Sequence, residues 1–243
     1  MPRLKYPVTI FILFISAAAF AQTKTSVHHF TKIIVSPYIQ ASFVEDTEEN
    51  VVIENSTVPE DKIHIEVSGK TLRVYLEGAK DFPKNEDGYS GRRALYHGTV
   101  ITATIHYKTL NKLSIRGDET EVCASLLEGR KFTLKMYGNP HVFLNEVNLA
   151  KLRASLYGDG KLDIKAGAIG EQHYTAYGES WVNSLAINNQ VTKITAFGEA
   201  SFRLQVSDAL KIICFGETTV AYKGDPVIYK WLHLGEMQIS KID

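Results

Sequence analysis

The chain has 243 residues, 44% hydrophobic and 22% charged, enough to bury a sizeable core within one domain. Lysine plus arginine equals aspartate plus glutamate, at 27 each, so no overall field draws it to nucleic acid or to an anionic membrane. That balance argues against a nucleic-acid role.

Residues 1–21 read as a signal peptide, with Arg3 and Lys5 as a basic start, an apolar run from Val8 to Phe20, and Ala19-Phe20-Ala21 as a small-x-small cleavage site before Gln22. The mature domain, 22–243, is then expected outside the cytoplasm, in the periplasm, at the outer membrane or on the cell surface. No cysteine follows the cleavage point to accept a lipoprotein anchor, and no later stretch is long and apolar enough to span a bilayer. The N-terminal half, 22–77, is rich in strand patterns. Ile39, Ala41 and Phe43 alternate with polar residues, as do Ile63, Ile65 and Val67, then Leu72, Val74 and Leu76. Ser68-Gly69-Lys70 between the last two runs predicts a tight hairpin. This half reads either as degenerate early rungs or as a small cap sheet. Residues 78–98, dense in glycine and charge, break all periodicity and predict a surface loop. The strand pattern resumes at Ile101, Ala103, Ile105 and Tyr107.

From residue 99 onward one pattern dominates. Gly117, Gly138, Gly158, Gly178, Gly198, Gly216 and Gly235 lie 21, 20, 20, 20, 18 and 19 residues apart, each followed by an acidic or amide residue. A fixed period of about twenty predicts an all-β fold, a single-stranded β-helix-like β-solenoid whose unit stacks on copies of itself. Four and two residues before each glycine the columns are almost wholly apolar, for example Leu134 and Met136, Ile194 and Ala196, Trp231 and His233. The intervening column is mostly polar, so the period is two and the segment is a strand with one buried face. A second strand follows the glycine, with Val142 and Leu144, Leu162 and Ile164, Phe202 and Leu204 pointing inward. Each rung holds two or three short strands, and the aromatic before the glycine should stack on its equivalents. Cys123 and Cys214 fall about four rungs apart, on the order of 20 Å, too far for a disulfide.

With the signal sequence, His29-Phe30-Thr31-Lys32-Ile33, Leu72-Arg73-Val74-Tyr75-Leu76, the glycine marks and the closing Tyr222-Lys223-Gly224-Asp225-Pro226 turn before Leu234-Gly235-Glu236, the chain resembles the autotransporter-adhesin head GIN domain family. Those are exported proteins found mostly in Bacteroidetes-type bacteria. The resemblance covers nearly the whole mature chain and implies a β-solenoid-like fold with a surface or adhesive role. It implies no catalytic residues.

The carboxylate-rich column after the glycine (Asp118, Asn139, Asp159, Glu179, Glu199, Glu217, Glu236) gives too few oxygens per rung for calcium and reads as a solvated turn, so no metal or other cofactor is expected. A basic column five residues before the glycine (Lys112, Thr133, Arg153, His173, Lys193, Lys211, Lys230) lies too far from the acids to pair within a rung. The outward face of the post-glycine strand is less regular. His141, Phe143, Lys161, Asp163, Trp181, Asn183 and Arg203 combine aromatics with mixed polar groups there, which suits stacking against a sugar or burial against a protein. Hydrolase, zincin, phosphate-loop and Cys-x-x-Cys motifs are absent. The leading expectation is therefore a non-enzymatic, exported binding module whose partner is an envelope glycan or protein, with homo-oligomers allowed. The alternative is a β-helical polysaccharide lyase or hydrolase.

Overall fold

A computed structural model describes residues 22–79 and 96–243. The expected signal segment, 1–21, and most of the expected 78–98 loop lie outside these residues. Among the described residues eighteen strands form the fold. The first nine are β1 Thr23–Ser26, β2 Lys32–Val35, β3 Ile39–Glu45, β4 Asn50–Ser56, β5 Ile63–Ser68, β6 Thr71–Leu76, β7 Ile101–Tyr107, β8 Lys112–Gly117 and β9 Thr120–Gly129. Then follow β10 Phe132–Gly138, β11 His141–Tyr157, β12 Lys161–Ile164, β13 Gly167–Tyr177, β14 Ser180–Ser184, β15 Asn188–Gln205, β16 Ala209–Lys223, β17 Val227–Leu234 and β18 Met237–Lys241.

The molecule is a β-solenoid with rungs of about twenty residues, as the glycine spacing requires. Each layer contributes one strand before the glycine and one after it, and both pair in parallel with the same columns of the next layer. Ile194 faces Ile212, Phe197 faces Phe215 and Phe202 faces Val220 along one continuous ladder. Alternation then does the sorting. Leu134, Met136, Leu156, Ala176, Ile194 and Cys214 are buried, as are Val142, Leu162, Val182 and Phe202 on the other side. A third side exists only in part: residues 126–129, 146–149 and 167–169 pair in succession, but by residues 188–189 it has shrunk to a remnant.

The glycine is fixed by two constraints at once. Gly158 has φ +118°, and a Cβ there would sit 2.4 Å from the carbonyl oxygen of Gly138. The same oxygen-to-Cβ conflict recurs at Gly216 against Gly198 and at Gly235 against Gly216. Just before this corner the rings stack as expected: Tyr137, Tyr157, Tyr177, Phe197 and Phe215 are spaced 4.8, 5.0, 4.9 and 5.1 Å between centroids, within 8° of parallel.

The first half of the chain is both rungs and cap. β2 and β3 form one layer and β6 and β7 another, while β5 pairs antiparallel with β6, β4 with β7, and β1 with β4. The β5–β6 hairpin turns at Gly69, whose φ of +58° meets the positive-φ need of a two-residue loop. The layers do not follow chain order. β2 lies between β6 and β8, so the earliest layer is sandwiched between two later ones.

Where β3 meets β9 the ladder thins to Ser42–Val122 and Phe43–Cys123, and side chains take over. Tyr38 N–H donates to Glu119 Oε1 and Ala41 N–H to Glu121 Oε2, each at 3.0 Å. Glu121 occupies the inward column shared by Val142, which makes it a carboxyl inside the core. Burial holds its pKa well above the ordinary value, with the Ala41 hydrogen bond opposing and Glu119 adding to the rise.

Three expectations need correction. Trp231 does not point inward. A bulge between Lys230 and Leu232 shifts the last rung, pairing Ile212 with Lys230, and leaves Trp231 65% exposed. The same shift puts Tyr229, not Lys230, opposite Lys211 in the basic column. Part of that column is also neutralised, by an acid outside the acidic file: Glu171 binds Lys151 at 2.8 Å and Lys193 at 2.7 Å, and also His173. Cys123 and Cys214 are free buried thiols. They stand five layers apart along the registers, one more than the spacing suggested.

Gly158→Ala is expected to lower unfolding free energy by at least about 2 kcal/mol, from the left-handed backbone plus the carbonyl clash, read as a lower urea midpoint at unchanged slope. Glu121 generates a second test. Its neutral form is the one that folds, so its contribution is complete below the ordinary carboxyl pKa of 4.5 and is lost as pH rises toward the elevated folded value. The wild type should therefore lose melting temperature across that window relative to Glu121→Gln, and the two should converge at lower pH.

Candidate functional site

The seven residues expected on the post-glycine face fall into two adjacent files. His141, Lys161 and Trp181 are successive ladder partners in β11, β12 and β14, with Ser201 of β15 next; Phe143, Asp163, Asn183 and Arg203 form the parallel file two residues on. The alternation that buries Val142, Leu162 and Val182 turns all seven to the outside of the sheet.

The structure draws four of them into one network. His141 Nε2 donates to Asp163 Oδ2 at 2.8 Å, and Asn183 Nδ2 donates to Asp163 Oδ1 at 3.0 Å. Lys165 reaches back along the strand to lie 3.6 Å from Asp163 Oδ1 and 4.6 Å above the Phe143 ring. The His141 and Phe143 ring centroids are 4.1 Å apart. Covered in this way, the Asp163 side chain is only 7% exposed. Its burial alone would raise the pKa, but the hydrogen bonds from His141 and Asn183 and the charge of Lys165 outweigh that and hold it below the ordinary value. Lys161 and Trp181 stand in the neighbouring file, and Arg203 is exposed at the far end.

His141 and Asp163 have the geometry of a base and its orienting acid, yet among the described residues no serine, threonine or cysteine bonds to His141. The cluster holds one carboxylate, whereas glycoside hydrolysis uses two. Among the described residues no three histidine, cysteine, aspartate or glutamate side chains converge on a metal-sized site. The acidic column after the glycine has another role at its start. Asp118 accepts the N–H of Asn139, Asn139 that of Asp159, and Asp159 that of Glu179, so short side chains cap the next corner. Where β15 and β16 run unbroken through the glycine, Glu199 and Glu217 pair in the ladder itself.

A concavity of about 560 Å³ opens where the third side dwindles. It flanks Val206 and Ser207, in the 18-residue interval between Gly198 and Gly216. Its walls carry Asn148, Asn188, Gln190, Gln205, Ser207 and Lys223, and its floor includes the buried Ile169 and Val206. Gln205 Nε2 donates to Asn188 Oδ1 at 3.0 Å. The buried Asn189 pins the corner beneath by donating to the carbonyls of Ile169, Gly170 and Val191. Gln205 follows Arg203 by two residues on the same face of β15, so groove and cluster share one surface. Reading the sequence missed these groove residues and Lys165. The short interval and the polar Asn148 and Asn188, each ten residues past its glycine, were the available signals.

Comparison with solved structures shows the same fold in other bacterial proteins. A "putative adhesin" from Bacteroides fragilis superposes with a TM-score of 0.73 at 16% identity, over 91% of this chain and 96% of that one. A "putative adhesin" from Parabacteroides merdae gives 0.65 at 17%, over 92% and 96%. A "putative lipid binding protein" from Parabacteroides distasonis gives 0.64 at 17%, over 92% and 96%. No protein of curated function matches the sequence. Among the described residues no helix is long and apolar enough to cross a membrane. Residues 29–226 match the family described as "Putative auto-transporter adhesin, head GIN domain", and the chain belongs to it.

Proposed function

We propose that this chain is an exported, non-enzymatic binding module of the cell envelope or surface and that its ligand is a glycan. The observation that carries the reading is the amide-walled groove running onto the face that bears Trp181, Asn183 and Arg203. Neutral amides and hydroxyls both donate and accept, which matches the hydroxyl groups of a sugar and offers little to a charged substrate. Sugar stacking also needs an open aromatic face. The five rings of the aromatic ladder cover one another, whereas Trp181 has no ring neighbour among the described residues. The adhesin names of the family and of its structural relatives agree with a binding role. A lyase or hydrolase is disfavoured because the groove walls carry amides, a hydroxyl and a lysine in place of paired acids.

A glycan array probed with wild type, Trp181→Ala and the Asn188→Ala/Gln205→Ala double variant tests this. Wild type should show a restricted set of signals that fall at least tenfold in both variants. Release of new reducing ends would turn the reading to an enzyme, and silence on every glycan would turn it to a protein partner.

A further inference from the structure

The other outward face, formed by the strands before the glycine, carries a concentration of positive charge that the fold does not compensate. Lys32 of β2 lies directly opposite Lys112 of β8. Thr133 and Arg153 continue that file, and Lys135 stands in the adjoining one, between Ser114 and Ser155. Like charges facing each other across a ladder are destabilising. Further along the same face the fold eases this problem internally, since Glu171 pairs with both Lys151 and Lys193 and accepts a hydrogen bond from His173. Nothing equivalent serves the first group. Among the described residues no carboxylate lies within ion-pairing distance of Lys32, Lys112, Lys135 or Arg153. Lys112 is only partly exposed, and burial together with the charges of Lys135 and Lys32 lowers its pKa. With net charge zero over the whole chain, this patch is local and not the edge of a basic protein.

We propose that Lys32, Lys112 and Lys135 form a binding site for a phosphomonoester group, carried on a sugar or a lipid headgroup. The match is one of charge and shape. A phosphomonoester brings between one and two negative charges and three acceptor oxygens, and ammonium groups act toward it as point charges from several directions. Lysines from three neighbouring strands can converge on one such group above the buried Ser114. Binding supplies the counter-charge that the protein omits. The site lies on a different face from the groove and does not depend on what the groove binds.

Two probes separate the sources of the ligand: glucose 6-phosphate by calorimetry, and phosphatidylcholine vesicles with or without phosphatidic acid by co-sedimentation. Wild type should bind at least one, more weakly as salt is added. Lys112→Gln and the Lys32→Gln/Lys135→Gln double variant should lose at least tenfold in affinity, while Lys193→Gln, from the compensated group, should bind as wild type. Lys112→Gln should also melt no lower than wild type without ligand, since it removes repulsion, and this shows that the loss is not misfolding. Binding to vesicles alone assigns a lipid headgroup, and binding to the sugar phosphate assigns a phosphorylated glycan. Failure of both probes overturns the proposal, as does an equal loss in Lys193→Gln, which would reduce the patch to general attraction.

Discussion

At the marked corners from Gly138 to Gly235, backbone atoms of one glycine occupy the space where a side chain on the next would begin. Gly138 sits beneath Gly158 in this way, and Gly216 beneath Gly235. The contact forces these layers to turn at the same place, and a common turning point keeps the columns in register. Register in turn makes a ladder of five rings out of scattered tyrosines and phenylalanines, with each stacked pair contributing about 0.5–1.5 kcal/mol. It also makes files of like residues on the outside, which is a liability wherever those residues are charged.

The protein handles that liability in different ways. Short Asp and Asn side chains in the first corners turn outward charge to structural use by accepting the next layer's N–H. Glu171 gathers two lysines and a histidine. Asp163 is wrapped by His141, Asn183 and Lys165 until little of it meets water. Lys32, Lys112 and Lys135 receive no such treatment, and that contrast is what the proposed phosphate site rests on.

Much of this was legible in the letters because a solenoid converts sequence spacing directly into spatial neighbourhood. The columns containing Ile194 and Ile212, or Tyr157 and Tyr177, could be read before any coordinates. Reading failed where one residue broke the count or where contacts depended on reach. The bulge at Trp231 adds a single residue to the last rung and so ejects a side chain assigned to the core. Asp163 was expected at the surface because nothing in its column announces that Lys165 folds back over it. The short interval before Gly216 was visible, but its consequence, a groove on the third side, needs three dimensions. Nor could the order of layers in the first half be inferred, since β2 pairs with β6 and with β8, strands far from it in the chain.

That ordering decides where the stack can change in length. The layer of β2 and β3 precedes its neighbours in the chain yet has one on each side, so the stack extends from it in two directions. One direction, through β6 and β7, is soon closed by the antiparallel strands β4 and β5. The other runs on through parallel pairing alone from β8 and β9 to β17 and β18, so a whole turn inserted or removed there leaves the antiparallel strands untouched.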